Sequence, residues 1–132
     1  MDELSLGLID LNIRLERLTQ NVSPDGSKEM LTLADKIVFT LARVKEASPS
    51  VLTAELGIIK SNLAPIMRTL INQGLVAVKP DPKDGRVIKY SLTGKGGVAA
   101  KARVMKLSQS IIMKEKKQKQ VLKLVTTLNE LL

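Results

Sequence analysis

The sequence predicts a mostly α protein in which a helix–turn–helix leads into a two-stranded hairpin, with long helices at both ends. Three observations predict it. Apolar residues recur at spacings of three and four along most of the 132 residues. Aromatics make up only 2% of the chain, so a core built from its 44% hydrophobic content is mainly Leu, Ile and Val. Between Leu75 and Leu92 the period switches from helical to alternating, around the polar turn Pro80–Gly85. The length suits a single domain over 1–132, with one lobe at about 28–93 between terminal helices at about 3–20 and 98–132.

Leu4, Leu8, Leu11, Leu15 and Leu18 alternate in spacings of four and three, which places them on one stripe of a helix over 3–20. Ile9 and Ile13 widen that stripe. Its breadth suits a partner chain, although an ordinary intrachain core would give the same pattern. Val22–Ser27 is dense in turn formers and reads as a loop. A second helix is expected over about 28–44, burying Met30, Leu33, Ile37, Val38, Leu41 and Val44. Ser48 followed by Pro49 marks the start of a short helix, and Gly57 marks its end.

The next helix is expected over about 61–73 with Ser61 as its N-cap and Gly74 as its stop. Leu63, Ile66, Met67 and Leu70 face inward at helical spacing, and Asn62, Pro65, Arg68, Thr69 and Asn72 face away. With Ser61 as cap, Pro65 falls among the amides that lack an intrahelical partner, where it costs little. Strands are expected at Leu75–Lys79 and Arg86–Leu92. Thr93 then caps a long helical region whose first turns carry Gly94, Gly96 and Gly97, which weaken the helix start and serve either as a candidate hinge or as a place of close approach to a neighbour. Residues 114–120, KEKKQKQ, form either a solvated stretch of helix or a corner between two helices. Val121, Leu124, Val125 and Leu128 restore an apolar stripe, and the two terminal stripes are expected to pack on each other and on a partner.

The composition excludes several chemistries. There is no His and no Cys, so Ser-His catalysis, disulfides and Cys/His metal sites are out of reach. Gly94-Lys95-Gly96-Gly97 lacks the spacing of a phosphate-binding loop. No enzyme, cofactor or metal is expected. No apolar run nears the ~18 residues that span a bilayer, and no signal peptide is apparent, so a cytoplasmic location is expected.

Charge is distributed unevenly. Residues 1–59 hold 6 basic and 9 acidic side chains, and residues 60–132 hold 15 basic and 4 acidic, a change from −3 to +11. The positive field begins where the second helix of the motif starts, as expected of a half that faces phosphate. A Lys-rich solvated surface would look alike. Lys60, Ser61 and Asn62 supply small polar groups where a helix enters a major groove, since Asn can pair bidentately with adenine. The same residues also serve as a plain helix start. In the turn, Arg86 or Lys83 can meet the minor groove or its phosphates, while an Asp84–Arg86 ion pair would merely stiffen the loop. Lys79 and Lys89 would add backbone contacts. The order of elements is that of a winged helix binding double-stranded DNA. A protein–protein module with a basic face, or a non-specific nucleic-acid binder, accounts for the same charge.

The stretch LTAELGIIKSNLAPIMRTLINQGLVAVKPDPKDGRVIKYSLTGKG resembles the core of the multiple-antibiotic-resistance regulator (MarR) family over Leu52–Gly96. The resemblance implies a homodimeric transcriptional regulator, a repressor released by a small-molecule effector bound between the dimer region and the DNA-binding lobe. It puts the recognition helix at 61–73 and the wing at 79–89. Family DNA contacts fall on Lys60, Ser61 and Asn62, and on Arg86 with Asp84. Three departures stand out. Gly85 replaces the first of two basic residues common in the wing, and Pro65 replaces a polar or basic residue. Without Cys or His, thiol switching and the usual metal sensing are absent.

Overall fold

The computed structural model describes residues 2–18, 21–22, 28–29, 31–110 and 114–132. In chain order the elements are α1 (Glu3–Leu18), β1 (Asn21–Val22), β2 (Lys28–Glu29), α2 (Leu33–Val44), β3 (Glu46–Ala47) and α3 (Pro49–Leu56). Then come α4 (Lys60–Asn72), β4 (Val76–Pro80), β5 (Ile88–Leu92), α5 (Gly94–Ser110) and α6 (Glu115–Leu131). The mostly α expectation holds, with a small antiparallel sheet in the order β3-β5-β4.

The start of α2 corrects the expectation of a helix from residue 28. Lys28 and Glu29 instead pair with Val22 and Asn21 in a short antiparallel hairpin. The helix begins after Thr32, whose hydroxyl accepts from the Asp35 amide at 3.1 Å while the Asp35 carboxylate accepts from the Thr32 amide at 3.0 Å. This reciprocal capping box supplies two partners for orphan helix amides and fixes the boundary. Ile37, Val38 and Leu41 are buried as expected, and Leu33 and Val44 pack against them half-buried. Met30 and Ser23–Ser27 lie outside the described residues.

The core sits between α2, α3, α4 and the sheet. Ile37, Leu41, Leu52, Leu63 and Met67 are its largest fully buried side chains, with Leu70, Val76 and Tyr90 closing it. Ser48 caps α3 by accepting from the Val51 amide, Pro49 opens the helix, and Gly57 ends it at φ 64°. That positive φ is one that a side chain rarely adopts. β3 is an element that the sequence did not announce. Its two residues pair with β5, Ala47 opposite Tyr90, and form the sheet's third strand.

The corner after α4 is tied to the start of α5. Thr93 Oγ1 donates to the Gly74 carbonyl at 2.6 Å and accepts from the Gly96 amide at 3.0 Å. The Thr93 amide donates to the Leu75 carbonyl at 3.0 Å. Lys95 Nζ donates to the Gln73 carbonyl at 3.0 Å, a cation at the helix C-terminus where the backbone dipole favours one. Gly96 is packed against Leu75, where an added Cβ would overlap the carbonyl oxygen and lie 3.0 Å from the carbonyl carbon. Gly96 is therefore a point of close packing, as the close-approach reading of these glycines expects. An added Cβ at Gly94 or Gly97 meets nothing within 4 Å.

On α5, Arg103 pairs with Asp35 of α2 at 3.3 Å. No residue of α1 or of α6 is buried in the single chain. Leu4 is 71% exposed and Leu124 71%, while Leu11, Val121 and Leu128 are half-buried. The terminal stripes exist as helical faces, and the single chain leaves them uncovered.

Candidate nucleic-acid interface

The helix α4 carries the candidate site on its outward face. It begins one residue earlier than expected: Ile59 is the N-cap, without a side-chain cap bond, so Ser61 is not the cap. Ser61 instead sits in the first turn, exposed together with Lys60 and Asn62. The helix contains no acidic residue. An N-terminus with no side-chain cap and no carboxylate of its own is suited to phosphate.

The earlier start also moves Pro65. It is the sixth helical residue, inside α4, beyond the first turn. There it removes the amide that would bond the Ser61 carbonyl, a cost of about 3 kcal/mol in a helix interior. Pro65, Arg68 and Thr69 are exposed along the same face. Thr69 Oγ1 donates back to the Pro65 carbonyl at 3.2 Å.

The wing is the loop between β4 and β5, whose register runs from Val76 opposite Leu92 to Pro80 opposite Ile88. Both strands begin a residue or two later than expected. Inside the loop the Lys83 amide donates to Asp81 Oδ1 at 2.8 Å, and this bond holds the Asp81 carboxyl below its ordinary pKa. The Arg86 amide donates to Asp84 Oδ1 at 3.1 Å and its Nε reaches the same oxygen at 3.4 Å. The Arg86 side chain is nonetheless 93% exposed. Asp84 thus holds the base of Arg86 while leaving most of the guanidinium in solvent.

The two strand lysines are placed differently. Lys79 pairs with Glu46 of β3 at 3.1 Å, and Lys89 with Asp81 at 3.7 Å. Both already have an acidic partner within the chain, whereas Lys83, Lys60 and Arg68 have none among the described residues. Sequence spacing could not reveal the Lys79–Glu46 pair, because β3 was not anticipated.

The start of α4 and the wing enclose a cleft of about 660 Å³ lined by Lys60, Ser61, Ala64, Arg86, Val87 and Tyr90 among others. Burial raises the Tyr90 phenol above its ordinary pKa. A smaller groove of about 170 Å³ lies between α2, α4 and α5, lined in part by Asp35, Phe39, Gln73 and Arg103. Small-molecule sites usually occupy about 300–1,000 Å³, so the first cleft is in that range and the second is below it. Among the described residues no helix is long and apolar enough to cross a membrane.

Residues 32–96 match the family described as the winged helix DNA-binding domain. Over nearly the whole chain the structure superposes on wild-type MarR of E. coli in its apo form, with TM-score 0.71 and 18% identity, covering 97% of this chain and 98% of that one. The chain has the MarR fold. A mutant of E. coli MarR complexed with operator DNA gives TM-score 0.62 at 18% identity, covering 95% of this chain and 92% of that one. The YusO protein from Bacillus subtilis gives TM-score 0.59 at 20% identity, covering 97% of this chain and 92% of that one. No curated protein matches the sequence. The MarR fold is thus one seen bound to operator DNA in a solved neighbour.

Proposed function

We propose that this chain is a MarR-type transcriptional regulator that binds double-stranded DNA as a homodimer in the cytoplasm. The observation that carries the reading is the acid-free outward face of α4, with Lys60, Ser61, Asn62, Arg68 and Thr69 all exposed beside the protruding wing. Asn62 and Ser61 would read base edges, and Arg86 at the wing tip would enter or flank the minor groove. Lys60 and Lys83 would hold phosphates and set the register without choosing a sequence. Lys79 and Lys89 would contribute less, because each must first leave its carboxylate.

The uncovered stripes on α1 and α6 supply the second half of the proposal. Leu4, Leu8, Leu15, Leu18 and Leu124 stand exposed, and Leu11, Val121, Val125 and Leu128 flank them. Exposed apolar surface on this scale marks a protein interface. A symmetric second copy would cover it and place two recognition helices in successive major grooves. Repression would be relieved by a small-molecule effector that prefers a different spacing of the two lobes, lowering DNA affinity by its differential binding.

Fluorescence anisotropy on a specific duplex and a random one, across a salt series, tests the reading. Asn62→Ala is expected to cost ~1–3 kcal/mol on the specific duplex and little on the random one. Equal losses on both would show that Asn62 does not read bases. Lys83→Ala is expected to weaken both duplexes and flatten the salt slope.

A further inference from the structure

Pro65 is hard to explain from the fold alone. It lies inside α4, removes a backbone hydrogen bond there, and is exposed, so no packing offsets it. Thr69, one turn on, spends its hydroxyl proton on the Pro65 carbonyl at 3.2 Å, so the hydroxyl's donor is turned to the backbone. Pro65 and the Thr69 methyl, one turn apart at i and i+4, therefore form an apolar strip on a face otherwise made of Lys60, Ser61, Asn62 and Arg68.

A major groove presents one apolar group on base edges, the C5-methyl of thymine, and Ala and Thr methyls are suitable contacts for it. We infer that this strip reads thymine methyl groups, so that the operator half-site carries thymine opposite Pro65 and Thr69. The inference rests on the DNA-binding reading above and names what the middle of α4 selects. Hydrogen bonding is left to the start of the helix, and apolar contact takes over one turn further along. The site discriminates by burying a methyl, so the wrong pyrimidine loses a contact and leaves no polar group of the protein stranded.

The test uses a duplex selected from random DNA by the full-length protein, in which each dT is replaced in turn by dU. That replacement removes the methyl and nothing else. Loss of about fourfold in affinity per methyl is expected at the positions facing the strip, with other positions unaffected. Thr69→Val keeps a methyl and loses the hydroxyl, and should retain the dT preference. Thr69→Ser keeps the hydroxyl and loses the methyl, and should erase that preference at its own position, as Pro65→Gln should at its position. Circular dichroism checks that each variant is folded. Equal affinity for dT and dU throughout, or Val and Ser variants that behave alike, would overturn the inference while leaving DNA binding intact. Failure of the folded wild-type protein to select any duplex would remove the DNA-binding reading, and this inference with it.

Discussion

Substituting Gly96 by Ala, with Gly97→Ala as its control, separates a joint from a hinge. In a helix interior Ala is favoured over Gly by roughly 0.5–1 kcal/mol, through lower entropy of the unfolded chain. Gly97 should show that gain, since an added Cβ there meets nothing within 4 Å. At Gly96 the Cβ overlaps the Leu75 carbonyl oxygen and comes to 3.2 Å from Leu92 Cδ2. The carbonyl oxygen and carbon it meets are backbone, so a rotamer change cannot relieve the clash. Overpacking of this kind costs typically ~1–3 kcal/mol. Displacing Leu75 also strains the bond from the Thr93 amide to its carbonyl, now 3.0 Å, which adds roughly 1 kcal/mol. The net expectation is destabilisation of about 2 kcal/mol at Gly96 and stabilisation of up to about 1 kcal/mol at Gly97. Urea denaturation followed by circular dichroism measures both, with the midpoint reporting stability at constant slope. If both substitutions stabilise, the close packing of Gly96 on Leu75 is wrong and the glycines are free to bend.

Other expectations rest on the same geometry. Leu124→Glu places a charge on an exposed apolar stripe and should convert a dimer into a species with the mass of one chain, 14.4 kDa, in sedimentation or light scattering, with helicity retained. Thr32→Ala removes the capping box of α2 and should cost about 1 kcal/mol, read from the same denaturation curves. Tyr90 is the only tyrosine, so its tyrosinate absorbance titrates cleanly, and it should ionise above the ordinary phenol range because the folded state buries it. A raised folded pKa means a contribution to stability that is fully present below the unfolded value of about 10: the neutral phenol is favoured by folding, and stability falls as pH rises from about 10 through the folded value. The Asp81 carboxyl has the opposite sign, held down mainly by the Lys83 amide. Its contribution is present above the ordinary value of 3.8 and disappears as pH falls through the folded value, which carbonyl NMR of Asp81 would show.

Much of this architecture is legible because its signals are local. Ser48-Pro49 and Gly57 bound α3 through cap chemistry that needs no tertiary partner. The inward residues of α4 follow from their spacing. Thr32 and Asp35 stand at capping-box spacing, yet apolar periodicity runs back past that cap to Met30 and hides the boundary of α2. β1, β2 and β3 are two residues each, too short to show any alternation; β1 and β2 exist by pairing with each other, and β3 by pairing with the distant β5. That is also why the Lys79–Glu46 pair is invisible in the sequence. Ser61 looks like a cap by residue type, yet the helix opens at Lys60 and leaves Ser61 on the surface. The role of Gly96 depends on how closely Leu75 approaches, a distance that only the folded chain sets. The exposed polar face of α4 is readable from sequence, whereas the separation of free cations from paired ones is not.

A dimer of this chain that reads duplex DNA by sequence is the reading on which the rest depends. In vitro selection from random duplexes, at near-physiological salt and with protein of verified oligomeric state, puts it to the test. Enrichment of a two-fold symmetric motif with half-sites about 10 bp apart is expected, matching the dimer's symmetry. Folded protein that binds duplexes with a steep salt dependence but enriches no motif would refute sequence-specific recognition.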